Sequence, residues 1–502
     1  MGSVYSKAAC AFIWLGPGDE DSDRALSFVD SLQETLLEYL ADYDGDEDDL
    51  LNDMIDLPDG AISPSDDQGW VKLYALFSRP WFHRCWTLQE AILAPERMIA
   101  CGSEIRGWIT FALAAFGHTN LKVREGTTIF PIPPLITTQN CIAEKPEDRH
   151  LSKLLFRNDS RGASDPRDKV YALYGLVQAS QKVPLEIDYA MSVEDVYRST
   201  VRYCIESEES LSILSHASYF TNQSELPSWV PDWRDCSGSG CTPMDPLYER
   251  GFNASSRSRP LLVPSSSNDK LILKGFILAI VERTIDIAAL KFNTIDSFRQ
   301  SWLTNAATAG VPMHFLQGKT FHTSYDLTMT MEESPFHTRN ARGIVPFLWT
   351  NSTGWVAAEC PGPIPQAVST EYKTYIDMQT SRRLLFLTKD SLGLAPEPTQ
   401  VGDRVCILPG SDVPFILRPR QSTARITPDK AAKPKRQKTS KTTPQGIRKS
   451  AHQGSRKSAR VAKQALEATE WTLIGDCYLN GYMHGEAMRT VTEADYVNFT
   501  LV

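Results

Sequence analysis

Residues 11–15 read AFIWL and are closed at once by Gly16-Pro17-Gly18, which leaves few architectures open to this part of the chain. A five-residue apolar run shut off by turn formers reads as a buried strand ending in a turn. From Asp21 to Tyr39 the chain then spaces Ala25, Phe28, Val29, Leu32, Leu36 and Leu37 along one helical face, with Leu40 following. Trp70–Phe77 and Arg84–Ala94 carry two more amphipathic helices, the second stopped by Pro95. Arg97–Cys101 (RMIAC) reads as a strand and Ile109–Phe116 as a helix. This strand–helix–strand–helix order predicts an α/β fold class, with a layer built on a parallel sheet.

Further on, residues 150–157 and 168–178 have helical spacing. Ser192–Glu206 has it too, with Ser192 as N-cap and Asp195 three residues on, as in a capping box. From 226 the pattern changes. PSWVPDWR is extended and rich in Trp and Pro, and 236–268 reads as a long Ser/Gly/Pro loop. Short β-like runs follow at 270–285, 382–388, 403–408, 413–418 and 471–479, punctuated by LGLAPEP and LPGSDVP. They predict a smaller, mostly antiparallel β domain.

Two stretches have no core-forming pattern. Residues 42–60 are strongly acidic and read as a solvated loop; they lack the Gly and Glu positions of an EF-hand. Residues 419–463 hold fourteen Lys and Arg against one Asp, with almost no large apolar side chain. Such a segment cannot bury enough surface to offset the entropy of ordering. It interrupts the β domain, because strand-like sequence resumes at Trp471. Lys433–Lys438 within it matches a nuclear import signal or a phosphate-binding patch.

The chain has 502 residues, with 42% hydrophobic and 23% charged side chains, enough for two or three domains with a sizeable core. The sequence has no apolar stretch of the ~20 residues that a membrane helix needs. FIWLG is followed directly by DEDSD with no small-residue cleavage site, so a secretory leader is not expected. Ten Cys occur without a CxxC pair, and the Cys236/Cys241 pair has no second ligand pair, so reduced thiols in a cytosolic or nuclear protein are expected rather than zinc. No GxSxG elbow, Walker loop, HExxH or kinase motif is present.

Four blocks resemble the fungal heterokaryon-incompatibility (HET) family. VYSKAACAFIWLGPGDEDSDRA is similar to that family's helix leading into a strand ending WLG. LFSRPWFHRCWTLQEAILAPERMIACG resembles its RPWFxRxWxxQE core, here Arg79, Pro80, Trp81, Phe82, Arg84, Trp86, Gln89 and Glu90. SDPRDKVYALYGLV with IDYAMSVEDVYRSTVRY resembles the helical region that follows. GLAPEPTQVGDRVCILPGSDVPFILRPR and WTLIGDCYLNGYMHGEAM resemble the C-terminal β segment. The family usually opens with an LSYxWG-like strand, and nothing like it precedes Val4. The resemblance therefore implies an N-terminally truncated sheet with an unpaired edge.

The implied organisation is a partial HET α/β domain over 1–120, a helical region over 121–225, a loop-rich linker over 226–268, a β-rich domain over 269–418 and 470–502, and a disordered basic insertion over 419–469. The implied role is non-self recognition and programmed cell death signalling. HET domains also resemble Toll/interleukin receptor (TIR) domains, some of which cleave NAD with a Glu four residues after a Trp. Trp86 and Glu90 have that spacing, which on one helix puts both on the same face. Glu90 is thus the candidate catalytic residue, with NAD as substrate and no certain cofactor. Trp81, Phe82, Arg84 and Trp86 are the candidate ligand-binding residues, the aromatics by stacking on a flat ring. In the alternative reading, Trp86 is core and Glu90 pairs with Arg84 or Arg79. The competing class is a non-enzymatic module that binds protein partners or itself, with nucleic acid reached only through 419–463 and no membrane contact.

Overall fold

The computed structural model describes residues 2–40, 67–115, 134–177, 184–219, 226–234, 241–244, 251–286, 347–350, 354–357, 382–420, 466 and 469–502. The acidic stretch 42–60, most of the basic stretch and Lys433–Lys438 lie outside these residues.

The N-terminal layer runs α1 (Gly2–Tyr5), β1 (Cys10–Trp14), α2 (Glu20–Leu40), α3 (Asp67–Phe77), α4 (Thr87–Leu93), β2 (Glu96–Cys101), β3 (Glu104–Gly107) and α5 (residues 108–115). β1 and β2 pair in parallel, with Ile13 opposite Ile99. β3 was not foreseen: it pairs antiparallel with β2, so the sheet is mixed, in the order β1-β2-β3. The two-residue link Gly102-Ser103 makes this hairpin, and Gly102 sits at φ +58 against the backbone of Gly18. One face of the sheet is buried. Ile13, Leu15, Ile99 and Cys101 meet Leu26 and Val29 of α2, Trp70 and Phe77 of α3, and Phe111 of α5 in one apolar cluster. Burying each such large side chain stabilises the fold by about 1.5–3 kcal/mol.

α6 (Pro134–Ala143), α7 (Leu151–Arg157), α8 (Asp168–Tyr174) and α9 (Val193–Ser207) follow. Ser192 caps α9 as the sequence predicts, accepting from the Asp195 N–H at 3.1 Å. Residues expected to serve as a loop-rich linker are instead packed inward. Trp229, Val230 and Trp233 are buried, and Trp229 donates to the Asp269 carbonyl at 3.2 Å beneath the Arg202 guanidinium.

The C-terminal strands are β4 (Leu262–Val263), β5 (Leu271–Ile280), β6 (Arg283–Asp286), β7 (Phe347–Thr350), β8 (Gly354–Ala357), β9 (Arg383–Leu387), β10 (Leu392–Pro396), β11 (Arg404–Ile407), β12 (Phe415–Pro419), β13 (Glu470–Asp476), β14 (Tyr478–Leu479) and β15 (Val497–Leu501). LGLAPEP, read as punctuation, is mostly strand β10: its Leu and Ala side chains are fully packed, and burial outweighs the Gly and Pro propensities. Strands β11, β12, β13, β15 and β5 pair in sequence, and β5 returns to β11. The ring closes as a small barrel, with β13 and β15 parallel and the other contacts antiparallel. β14, β10, β9 and β6 make a second sheet. Helices α7–α9 share one apolar cluster with barrel residues Leu273, Phe415, Trp471 and Phe499.

Among the described residues, no helix is long and apolar enough to cross a membrane.

Candidate functional site

Segment 79–90 does not form one helix. Arg79 is extended and Pro80 opens a 3₁₀ turn, Pro80–His83. Proline suits that first position, where no N–H is needed. Arg84 is extended again (φ −103, ψ 137) because its strand-like backbone bridges Gly162. The Gly162 N–H donates to the His83 carbonyl at 2.6 Å, and the Cys85 N–H donates to the Gly162 carbonyl at 3.0 Å. Only after this break does α4 start at Thr87, whose hydroxyl donates to the Trp81 and Arg84 carbonyls.

The break exchanges the indoles. Trp86, expected beside Glu90, precedes the helix and packs against the cluster shared by the helices and the barrel. Trp81 takes its place: its Nε1–H donates to Glu90 Oε2 at 3.0 Å. The Tyr5 hydroxyl donates to Glu90 Oε1 at 3.3 Å. The expected ion pair of Glu90 with Arg84 or Arg79 does not form. Arg79 instead donates to the carbonyls of Leu15 and Pro17 at 3.1 and 3.0 Å and to Asp19 at 3.3 Å, latching the end of β1. Burial, and then the nearby Glu90 charge, push the Tyr5 phenol above its usual range. The carboxylate is therefore held by two neutral donors from separate elements, and it ties α1 and the 3₁₀ turn to α4.

Phe82 is 0% exposed, set edge-on between Phe77 and Trp81 at centroid distances of 5.8 and 5.1 Å, so it offers no ring face to a ligand. Trp81 is half-buried and also meets Trp108 edge-on. Arg84 is exposed. Of the five candidates, the structure brings together Glu90, Trp81 and Phe82, and sets Trp86 and Arg84 apart.

Sequence reasoning missed the groups that hold this segment from below. Arg161 is 1% exposed and donates to the Phe82 carbonyl at 2.7 Å, Asn158 Oδ1 at 3.1 Å and Thr138 Oγ1 at 2.5 Å. Burial brings its guanidinium down to about 10. Lys169, also buried, donates to the carbonyls of Asp159 and Arg161. Gln89 donates to the Ala172 carbonyl at 2.8 Å, lying against Gly175. Tyr5 was missed as well. Arg161 and Lys169 sit inside a conspicuously charged DSRGASDPRDK run, a composition that gives no local sign of burial.

A second buried polar cluster lies in the β region. Arg383 and Asp476, 1% and 0% exposed, pair at 3.0 Å. Arg383 also donates to the Thr242 carbonyl, and the Met244 N–H donates to Asp476 Oδ2 at 2.7 Å. Burial raises the neighbouring Cys241 thiol to about 12. His484 and Glu486 form a local turn, the His484 N–H donating to Glu486 at 2.8 Å. Among the described residues, no three His, Cys, Asp or Glu side chains group as a metal site.

Comparison with known proteins agrees with this geometry in its two halves. The family model described as Heterokaryon incompatibility protein (HET) matches residues 1–90, ending at Glu90. The model described as Het-6 beta-barrel domain matches residues 364–427, which include β9–β12. The chain is 23% identical to "Heterokaryon incompatibility protein 6, OR allele" of Neurospora crassa, over 84% of this chain and 74% of that one. No solved structure matches. The HET match at one end, the Het-6 barrel match at the other and similarity along most of the length make this chain similar to the fungal heterokaryon-incompatibility (HET) proteins.

Proposed function

We propose that this chain acts in fungal heterokaryon incompatibility as a non-self recognition protein that signals programmed cell death, and that its α/β layer works by protein contact rather than by turnover. The similarity to a heterokaryon incompatibility protein over 84% of the chain carries the first half. The second half rests on Glu90: both its oxygens accept intramolecular hydrogen bonds, and the Trp expected beside it belongs to another core. In this reading the three-stranded layer is a TIR-like sheet, supported by the parallel β1–β2 pair. In this reading the protein works in the cytoplasm, with nuclear entry through Lys433–Lys438 as the alternative. The test is inducible expression in a compatible fungal strain, scoring growth arrest and vital-dye uptake. Unimpaired growth at high protein level refutes the cell-death role, and a tagged copy reports localisation.

A second reading, NAD cleavage by Glu90, is favoured by the carboxylate's pre-orientation by Tyr5 and Trp81. A fixed carboxylate stabilises an oxocarbenium-like centre as nicotinamide leaves. Purified protein that releases nicotinamide, with release lost in Glu90→Ala, would establish it. Release equal in both proteins removes Glu90 from the chemistry.

A further inference from the structure

The two donors that hold Glu90 are mounted unequally. Trp81 stands on the 3₁₀ turn, edge-on to Phe82 and Trp108 at 5.1 and 6.3 Å, and its carbonyl accepts from Thr87, so the indole is fixed by its own surroundings. Tyr5 closes α1, a helix of four residues, far short of the ~12 that a helix needs to stand alone. None of residues 4–9 is fully buried, Val4 is 67% exposed, and none of them joins the apolar cluster behind β1. The Ala8 N–H turns back on the Tyr5 carbonyl at 3.1 Å. Among the described residues, the bond from the Tyr5 hydroxyl to Glu90 Oε1 is the one hydrogen bond that ties this segment to another helix. A segment with little buried surface and a single tertiary tie opens locally at far lower cost than the core behind it. On α4, Thr87, Leu88, Gln89, Ala91 and Ile92 are buried, and Glu90 between them stays half-buried under Tyr5.

We propose that residues 2–9 form a strap that Tyr5 fastens over Glu90, and that Glu90 Oε1 opens to a hydroxyl-bearing ligand only when the strap lifts. The proposal adds a gate to the Glu90 site of the second reading above, and its regulatory sense rests on that reading. With the strap closed, the phenol takes Oε1 and the indole takes Oε2, so both oxygens already accept from the chain itself. With the strap lifted, a ligand hydroxyl replaces the phenol at Oε1, one O–H donor for another. The Trp81 indole keeps Oε2 and with it the orientation of the carboxylate. The phenol thus stands in for the ligand, and a ligand's apparent affinity falls by the fraction of chains whose strap is open. Loss of the phenol proton does not open the strap at ordinary pH, because burial and the Glu90 charge push that group above its usual range.

The experiment is carbodiimide labelling of carboxylates with glycine ethyl ester on the full chain, read by mass spectrometry at Glu90 and, as reference, at the exposed Glu96. In the wild type Glu90 should label far more slowly than Glu96. Tyr5→Phe keeps the ring and removes the donor. It should speed Glu90 labelling by about tenfold, the effect of losing one hydrogen bond to a charged group, with the thermal midpoint unchanged. Hydrogen exchange in Tyr5→Phe should quicken over residues 4–9 and stay as it was over 87–93. Trp81→Phe removes the other donor and should leave exchange over 4–9 unchanged. A wild-type Glu90 that labels as fast as Glu96, or labelling indifferent to Tyr5→Phe, overturns the proposal. So does a loosening of 4–9 by Trp81→Phe equal to that by Tyr5→Phe, since the segment would then follow the layer rather than its own tie. Neither readout uses NAD. A strap that fails here leaves nicotinamide release to be scored in the wild type, and a protein that releases none removes cleavage while Glu90 labelling still reports the strap.

Discussion

Gly175 closes α8 at φ −65, a backbone angle that any residue adopts. Replacing it with Ala would by chain entropy alone stabilise the protein by about 0.4–1 kcal/mol. Space reverses the sign. A Cβ there would stand 2.3 Å from Gln89 Nε2 and 3.0 Å from its Cδ. Gln89 is 2% exposed, and its amide donates to the Ala172 carbonyl at 2.8 Å, so it has nowhere to swing without giving up that bond. Forced repacking costs about 1–3 kcal/mol, and the lost hydrogen bond about another 1 kcal/mol. Gly175→Ala should therefore destabilise by about 2 kcal/mol net of the entropy gain. Urea unfolding followed by Trp fluorescence reads this as a lower midpoint. Gln89→Ala removes the obstacle, so the double variant should cost less than the two singles combined, a coupling of about 1 kcal/mol or more. An unchanged or higher midpoint for Gly175→Ala would refute the claim that the QE helix and the YALYG helix are interlocked at this point.

Other outcomes follow from buried groups and strand ends. Arg383→Met leaves the Asp476 carboxylate buried without its cation and should cost about 3–5 kcal/mol by denaturant titration, with Arg383→Met/Asp476→Leu recovering part of it. His216 is buried and held down at about 3 against an ordinary 6.5. The unfolded chain thus binds a proton that the folded one refuses between these values, so stability should fall as pH drops from 6.5 towards 3, by up to about 1.4 kcal/mol per unit; His216→Gln should flatten that slope. Arg420 N–H donates to the Glu470 carbonyl at 2.8 Å, with Pro419 opposite Trp471, so the strands flanking the basic insertion already meet as a hairpin. Replacing 422–464 with a short Gly-Ser linker, which keeps Leu466 packed against the helix–barrel cluster, should leave the thermal midpoint unchanged, and a fall of many degrees would show that the deleted stretch supports the barrel.

Elements with a local signal were legible. The AFIWL strand, the Ser192-capped helix and the β runs from 270 to 479 all stand where periodicity and capping put them. β3 was legible in principle, since Gly-Ser between two short runs is a hairpin signal, but Glu104–Gly107 alone has too little apolar alternation to read as a strand. The candidate residues were paired wrongly by spacing alone. Glu90 does meet an indole, but that of Trp81, because Gly162 pulls Arg84 into an extended bridge and restarts the helix at Thr87. Nothing near Arg84 announces a partner 78 residues away.

By itself the amino-acid order marked the AFIWL strand, the Ser192-capped helix and the β runs between 270 and 479, because those choices depend on neighbours within a few residues. It also carried the family resemblance through motif blocks that survive as local patterns. The tertiary structure alone decided that β5 returns to β11 to close the barrel, that Arg383 of β9 and Asp476 of β13 pair out of water, and which Trp holds Glu90. The first two contacts join residues about a hundred positions apart, and the third joins residues nine apart across a break in the helix. Their free energy comes from burial and from pairing polar groups out of water, and neither exists until the distant partner has arrived.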